Sequence, residues 1–171
     1  MNLLKTILQQ HSKAQMQRIV TYVGADKKKF AELVSLFLAG PYRVTQRAAW
    51  PLSYCVEEHP ELIKPHLKRI VGFLGKPEEH NAVRRNILRV FQFIHIPKSL
   101  QGKVVDLCFT FLSDGTQPIA IRVFAMTVLT NIAKENPELK NEIIPLIEDQ
   151  MPFGSAGFRS RGRKVLQELK S

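Results

Sequence analysis

The feature that most constrains this 171-residue chain is an internal repeat. Val44, Val83, Ile121 and Phe158 recur at spacings of 39, 38 and 37 residues. Ala48, Ile87, Ala125 and Gly162 keep the same register, as do Leu52, Phe91, Leu129 and Leu166, and then Cys55, Ile94, Ile132 and Leu169. Steps of four, four and three residues put each set on one helix face. A second group of columns lies between them. Phe30, Ile63, Leu100 and Leu139 align, followed by Val34, Leu67, Val104 and Ile143, by Phe37, Ile70, Leu107 and Leu146, and by Leu38, Val71, Cys108 and Ile147. Every column is apolar or small. A periodicity of this length marks stacked supersecondary units, because one such unit cannot bury both of its faces alone.

The punctuation between columns defines the unit. Strand-like alternation is nearly absent, and breaks fall at Gly24, Gly40-Pro41, His59-Pro60, Gly75-Lys76-Pro77, Ile96-Pro97, Asp114-Gly115, Asn136-Pro137 and Pro152-Phe153-Gly154. His59-Pro60-Glu61-Leu62 and Asn136-Pro137-Glu138-Leu139 occupy the same place in their units. Proline at a first helical position is tolerated because that N–H has no intrahelical acceptor. The reading is a helix A, a Pro-started turn and a helix B. Pro51 and Pro145 fall inside helices, where each removes a backbone hydrogen bond and is expected to kink or break its helix.

This pattern resembles the HEAT-repeat family. The family's valine–arginine pair in helix A is matched by Val83-Arg84, Ile121-Arg122 and Phe158-Arg159, while the second unit departs from it with Val44-Thr45. The resemblance implies an all-α fold, a short right-handed α-α superhelix of HEAT-like helical hairpins forming a single domain over residues 1–171. Its parts would be a cap helix in 1–11 through Leu3, Leu4, Ile7 and Leu8, units at about 12–40, 41–76, 77–115 and 116–153, and a half-unit at 154–171. It also implies that the aligned arginines Arg84, Arg122 and Arg159 bridge neighbouring units; phosphate contacts are the other use of such a row.

Chemistry is thinly represented. His11, His59, His66, His80 and His95 show no metal-ligand spacing, and a zinc site needs three or four convergent ligands. Cys55 and Cys108 sit in core columns, where a thiol acts as a small hydrophobe. No nucleophile elbow or phosphate-binding glycine loop occurs. No catalytic residue, cofactor or metal is expected. No stretch approaches the length of a membrane span, so no membrane association is expected. The opening MNLLKTILQQ lacks the pattern of a secretory leader, and with two reduced cysteines the expected setting is cytoplasmic.

Charge supplies the candidate binding residues. The net charge of +10 is spread along the chain rather than gathered in a tail. Local concentrations are Lys27-Lys28-Lys29, the pairs Lys64/Lys68 and Arg85/Arg89, and Arg159, Arg161, Arg163 and Lys164 near Phe153 and Phe158. Like charges four residues apart on a helix destabilise it slightly, which points to an anionic partner; a solvated face is the plainer reading. Trp50 lies between the apolar columns, aligned with Arg89, Thr127 and Lys164, and suits either a binding anchor or packing on Pro51. These features point to a monomeric, non-enzymatic interaction module for a protein or peptide. The alternative is nucleic-acid binding, in architecture similar to the HEAT-like alkylpurine DNA glycosylases but without their catalytic groups. Against it, the exposed helix-B positions are mixed, with Lys64, Lys68 and Lys103 interrupted by Asp106, Glu142, Glu148 and Asp149.

Overall fold

A computed structural model describes residues 1–76 and 81–171. His80 and the Pro77 break therefore lie outside the described residues. The described chain is all-α, with ten α-helices joined by tight turns and short 3₁₀ segments. It gathers into two compact units, Met1–Ile94 and His95–Ser171.

The first unit holds α1 (Leu3–Gln9), α2 (Lys13–Val23), α3 (Lys27–Ala39), α4 (Tyr42–Glu58), a 3₁₀ helix (Pro60–His66), α5 (Leu67–Leu74) and α6 (Asn81–Phe91). Polar caps set the starts: Asn2, Ser12 and Asp26 each accept a backbone N–H of the following helix's first turn. The Lys29 amide on Asp26 holds that carboxyl below the usual carboxylate range. Gly24 ends α2 with a φ of 48°, a left-handed conformation that L side chains rarely adopt.

The second unit holds α7 (Lys98–Ser113), α8 (Ile119–Ala133), a 3₁₀ turn (Pro137–Leu139), α9 (Lys140–Gln150), a second 3₁₀ turn (Met151–Phe153) and α10 (Ala156–Lys170). The expected first, second and fourth hairpins each lie within one unit. The third is divided, with α6 packing on α4 and α5 in the first unit and α7 packing on α8 in the second.

The columns are the core. Of the aligned positions none is exposed, and only Ile94, Leu100, Leu107, Leu139, Leu146 and Leu166 stop at half-buried. Ile94 falls short because α6 ends at Phe91, so the last position of that column is not helical. Neither interior proline breaks its helix: α4 runs through Pro51 and α9 through Pro145. Ala48, Ala49, Leu52 and Ser53 are buried around Pro51, so tertiary packing holds the turn that loses a hydrogen bond. The disruption comes instead at Pro65, where a 3₁₀ segment precedes α5.

The cap helix is narrower in its contacts than its sequence suggests. Leu3 and Ile7 are buried, but Leu4 and Leu8 stay exposed, because a helix packed on one side buries only one stripe. Two side chains from elsewhere in the unit tie α1 down. The buried Gln15 donates its Nε2 to the Thr6 carbonyl at 2.6 Å. Arg47 on α4 donates to the Leu8 carbonyl at 2.7 Å and the Ile7 carbonyl at 3.4 Å, capping the end of α1 with a cation. Arg47→Ala is expected to speed hydrogen exchange of the α1 amides at least several-fold while α3 amides keep their protection, since local opening requires only that α1 detach. Equal acceleration in both helices would show that Arg47 supports the whole unit.

Candidate interaction surfaces

The C-terminal helix carries the largest cluster of predicted binding residues. Ser155 starts α10 by accepting the Phe158 amide at 3.2 Å. Phe158, Gly162, Val165 and Leu169 form the buried stripe. At about 100° per residue, that stripe divides the basic residues between two flanks. Arg159 and Arg163 lie together on one flank, both exposed. Arg161 and Lys164 lie on the other. There Arg161 Nη1 donates to Thr127 Oγ1 of α8 at 2.5 Å, and Glu168, one turn beyond Lys164, pairs with Lys134 at 3.0 Å. Lys170 is paired with Glu148 of α9. The four residues do not converge into one site: Arg159 and Arg163 are brought together, and Arg161 is drawn into packing.

Two exposed apolar side chains lie near the start of the same helix. Phe153, in the turn before α10, is 88% exposed, and Ile119 at the start of α8 is 48% exposed. A Cβ on Gly157 of α10 would come within 3.9 Å of Ile119 Cγ2, so Ile119 lies over the first turn of α10, on the side that carries Arg161 and Lys164. Both apolar side chains thus border the beginning of the helix that presents Arg159 and Arg163.

In the first unit, Lys64 lies in the 3₁₀ helix and Lys68 in α5, so they are not a pair on one α-helical face. The tighter 3₁₀ winding turns them about a quarter-turn apart. Arg85 and Arg89 do share a face of α6, the first exposed and the second half-buried. Trp50 is half-buried, its ring tilted against His11 at a centroid distance of 5.6 Å. The space between that ring and Ile7, Gln15, Met16 and Pro51 has room for about one water. Trp50 therefore packs on the α1–α2 link.

The aligned arginines have diverged in role. Arg122 is half-buried, donates Nε to the Leu112 carbonyl at 3.4 Å and Nη2 to Gln150 Oε1, and lies over the Phe158 ring at 4.7 Å. It links α7, α9 and α10, the bridging role expected of it. Where the second repeat has threonine, Thr45 is buried and donates Oγ1 to the Gly40 carbonyl at 3.2 Å. Arg122 and Thr45 thus serve the same end, satisfying a carbonyl at the close of the preceding helix B. Arg84 is half-buried and Arg159 exposed.

One polar network escaped the sequence reading. Buried Gln101 donates to the Ile96 carbonyl at 3.0 Å and accepts from Asn136 Nδ2 at 3.0 Å, while His95 and Glu135 meet at 2.5 Å. Gln101 and His95 hold the Glu135 carboxyl below its usual range. The Asn136-Pro137 turn was a visible signal, but its partner on α7 was not. Cys55 and Cys108 are both buried free thiols. Burial pushes the Cys55 thiol up to about 12 and raises Cys108 as well, so neither is a thiolate nucleophile at neutral pH. Among the described residues no three His, Cys, Asp or Glu side chains gather as a metal site.

A profile described as HEAT repeat domain matches residues 3–169. The chain belongs to the HEAT repeat family. Among solved structures, the crystal structure of an engineered protein is similar in fold, with a TM-score of 0.61 and 15% identity over 98% of this chain and 78% of that one. No curated protein matches. The HEAT repeat hairpins account for the aligned columns and for the bridging Arg122. No helix among the described residues is long and apolar enough to cross a membrane.

Proposed function

We propose that this HEAT repeat chain is a non-enzymatic scaffold that binds a protein or peptide partner through the start of α10. The observation that carries this reading is Phe153, an aromatic side chain 88% exposed in the turn that leads into α10, with Ile119 exposed over the first turn of that helix and basic residues of α10 on both of its flanks. An apolar anchor rimmed by cationic groups is the composition of a protein interface, where aromatic and arginine residues carry most of the binding energy. The partner segment would present an apolar residue flanked by carboxylates. Arg161 contributes less, since it is engaged by Thr127, while Lys164 lies on the same side of α10 as Ile119.

The test is selection of a displayed random-peptide library on the immobilised chain. Enriched peptides should carry an aromatic or aliphatic residue with neighbouring Asp or Glu. Their affinity should fall at least about 10-fold for Phe153→Ser, as for a hot-spot residue. Arg159→Ala with Arg163→Ala should weaken binding mainly at low salt. Failure to enrich a consensus, or equal binding by the Phe153→Ser variant, would overturn the reading.

A further inference from the structure

The mixed charge of the helix-B positions separates by unit once the elements are placed. In the first unit, α3, the 3₁₀ helix and α5 carry six cations, Lys27, Lys28, Lys29, Lys64, Lys68 and Arg69, against two carboxylates, Glu32 and Glu61. In the second unit, α7, the Pro137–Leu139 turn and α9 carry three cations against five carboxylates. The repeat register places exposed positions 28, 32 and 35 of α3 alongside 61, 65 and 68 of the next helix B. Arg69 Nη1 reaches Ser35 Oγ at 3.5 Å across the two. Lys29 is used internally, donating to the Tyr22 carbonyl at 3.1 Å and lying over the Tyr22 ring. Lys28, Lys64, Lys68 and Arg69 are exposed and form no ion pair with a carboxylate among the described residues.

We infer that this face of the first unit binds the sugar-phosphate backbone of duplex nucleic acid, a second activity separate from the peptide surface of α10. Three observations select that ligand. The unneutralised cations complement a polyanion, which releases condensed counterions when bound. No large apolar side chain on α3, the 3₁₀ helix or α5 is exposed, so the face lacks the anchor a protein partner needs. Single strands are held by stacking on exposed aromatics, and the rings near this surface, Tyr22, His66 and Phe73, are all half-buried, with Lys29 over Tyr22 and Lys76 Nζ 3.7 Å from the Phe73 centroid. Phosphates of a duplex require neither an anchor nor a stacking platform.

Fluorescence anisotropy of a labelled 20-base-pair duplex, titrated with the full chain across a salt series, tests this. Binding should weaken steeply with salt, and Lys64→Glu with Lys68→Glu should reduce affinity at least about 10-fold and flatten the log–log salt slope by about 1.8, at 0.9 per lost phosphate contact. These side chains are exposed, so the circular dichroism melt of the double variant should match that of the parent. Arg159→Ala with Arg163→Ala should leave duplex binding unchanged, and Phe153→Ser should do the same, which separates this surface from the peptide site. Absence of duplex binding at low salt, an unchanged slope in the double variant, or loss through the α10 variant would overturn the inference. Equal or tighter binding of labelled polyglutamate, or of the single strand, would overturn it too, by showing an acidic protein or an unpaired strand as the ligand.

Discussion

Leu129→Ala is expected to lower the unfolding free energy by about 2–5 kcal/mol, the cost of removing a large side chain from a packed core. Leu129 is fully buried on α8, and its repeat neighbours Ala125, Met126, Ile132 and Ala133 are buried around it. The transfer term for the lost methyl groups is set by chemistry, and the cavity term by how little the surrounding helices can close in. α8 packs against both α7 and α10, so rigid elements on two sides limit that closure. The matched comparison is Lys134→Ala, one turn beyond on the exposed side. Lys134 loses an exposed ion pair to Glu168 at 3.0 Å, which is worth under about 1 kcal/mol. Urea denaturation reads both as shifts in midpoint at constant slope. Equal shifts would mean that the repeat register is misplaced.

Gly40→Ala should cost about 1–3 kcal/mol, an overpacking penalty at a position with no room to relax. An ideal Cβ at Gly40 would lie 2.5 Å from the Leu36 carbonyl oxygen and 2.7 Å from Val44 Cγ1. The first of these is backbone, held in place because the Gly40 amide donates to that same oxygen at 3.1 Å. The second belongs to a buried core column. The Gly40 φ of −76° is open to any residue, so the effect isolates close approach from conformational strain. The contrasting variant is Gly102→Ala on α7, where a Cβ meets nothing within 4 Å and helix propensity should add up to about 1 kcal/mol of stability. Thermal unfolding that shifts the two variants in opposite directions is the expected result; a neutral Gly40→Ala would show that the α3–α4 turn is looser than its packing implies.

Much of the candidate surface was legible, though not its grouping. The exposure of Arg159 and Arg163 follows from the apolar stripe of α10, which the columns already define. That Arg161 leaves the group depends on Thr127, 34 positions earlier in the chain. Trp50 was open between anchor and packing, and the structure leaves it half-buried with its ring against His11, a neighbour 39 positions away that no local spacing announces. Lys64 and Lys68 were separated by Pro65, whose effect on helix type a fixed period of 3.6 does not register.

The helical class, the repeat spacing, the core columns and the turns between them were legible from the residues alone. These depend on neighbours three or four residues apart and on the backbone limits of glycine and proline, and both are written locally. The tertiary structure alone decided which long polar side chains are spent on holding helices together: Arg47 on α1, Arg122 among α7, α9 and α10, and Gln101 with Asn136. It also decided that helix-B charge gathers as basic in one unit and acidic in the other. A long side chain's partner is set by the helix that stacking brings alongside it, and no local spacing encodes that neighbour.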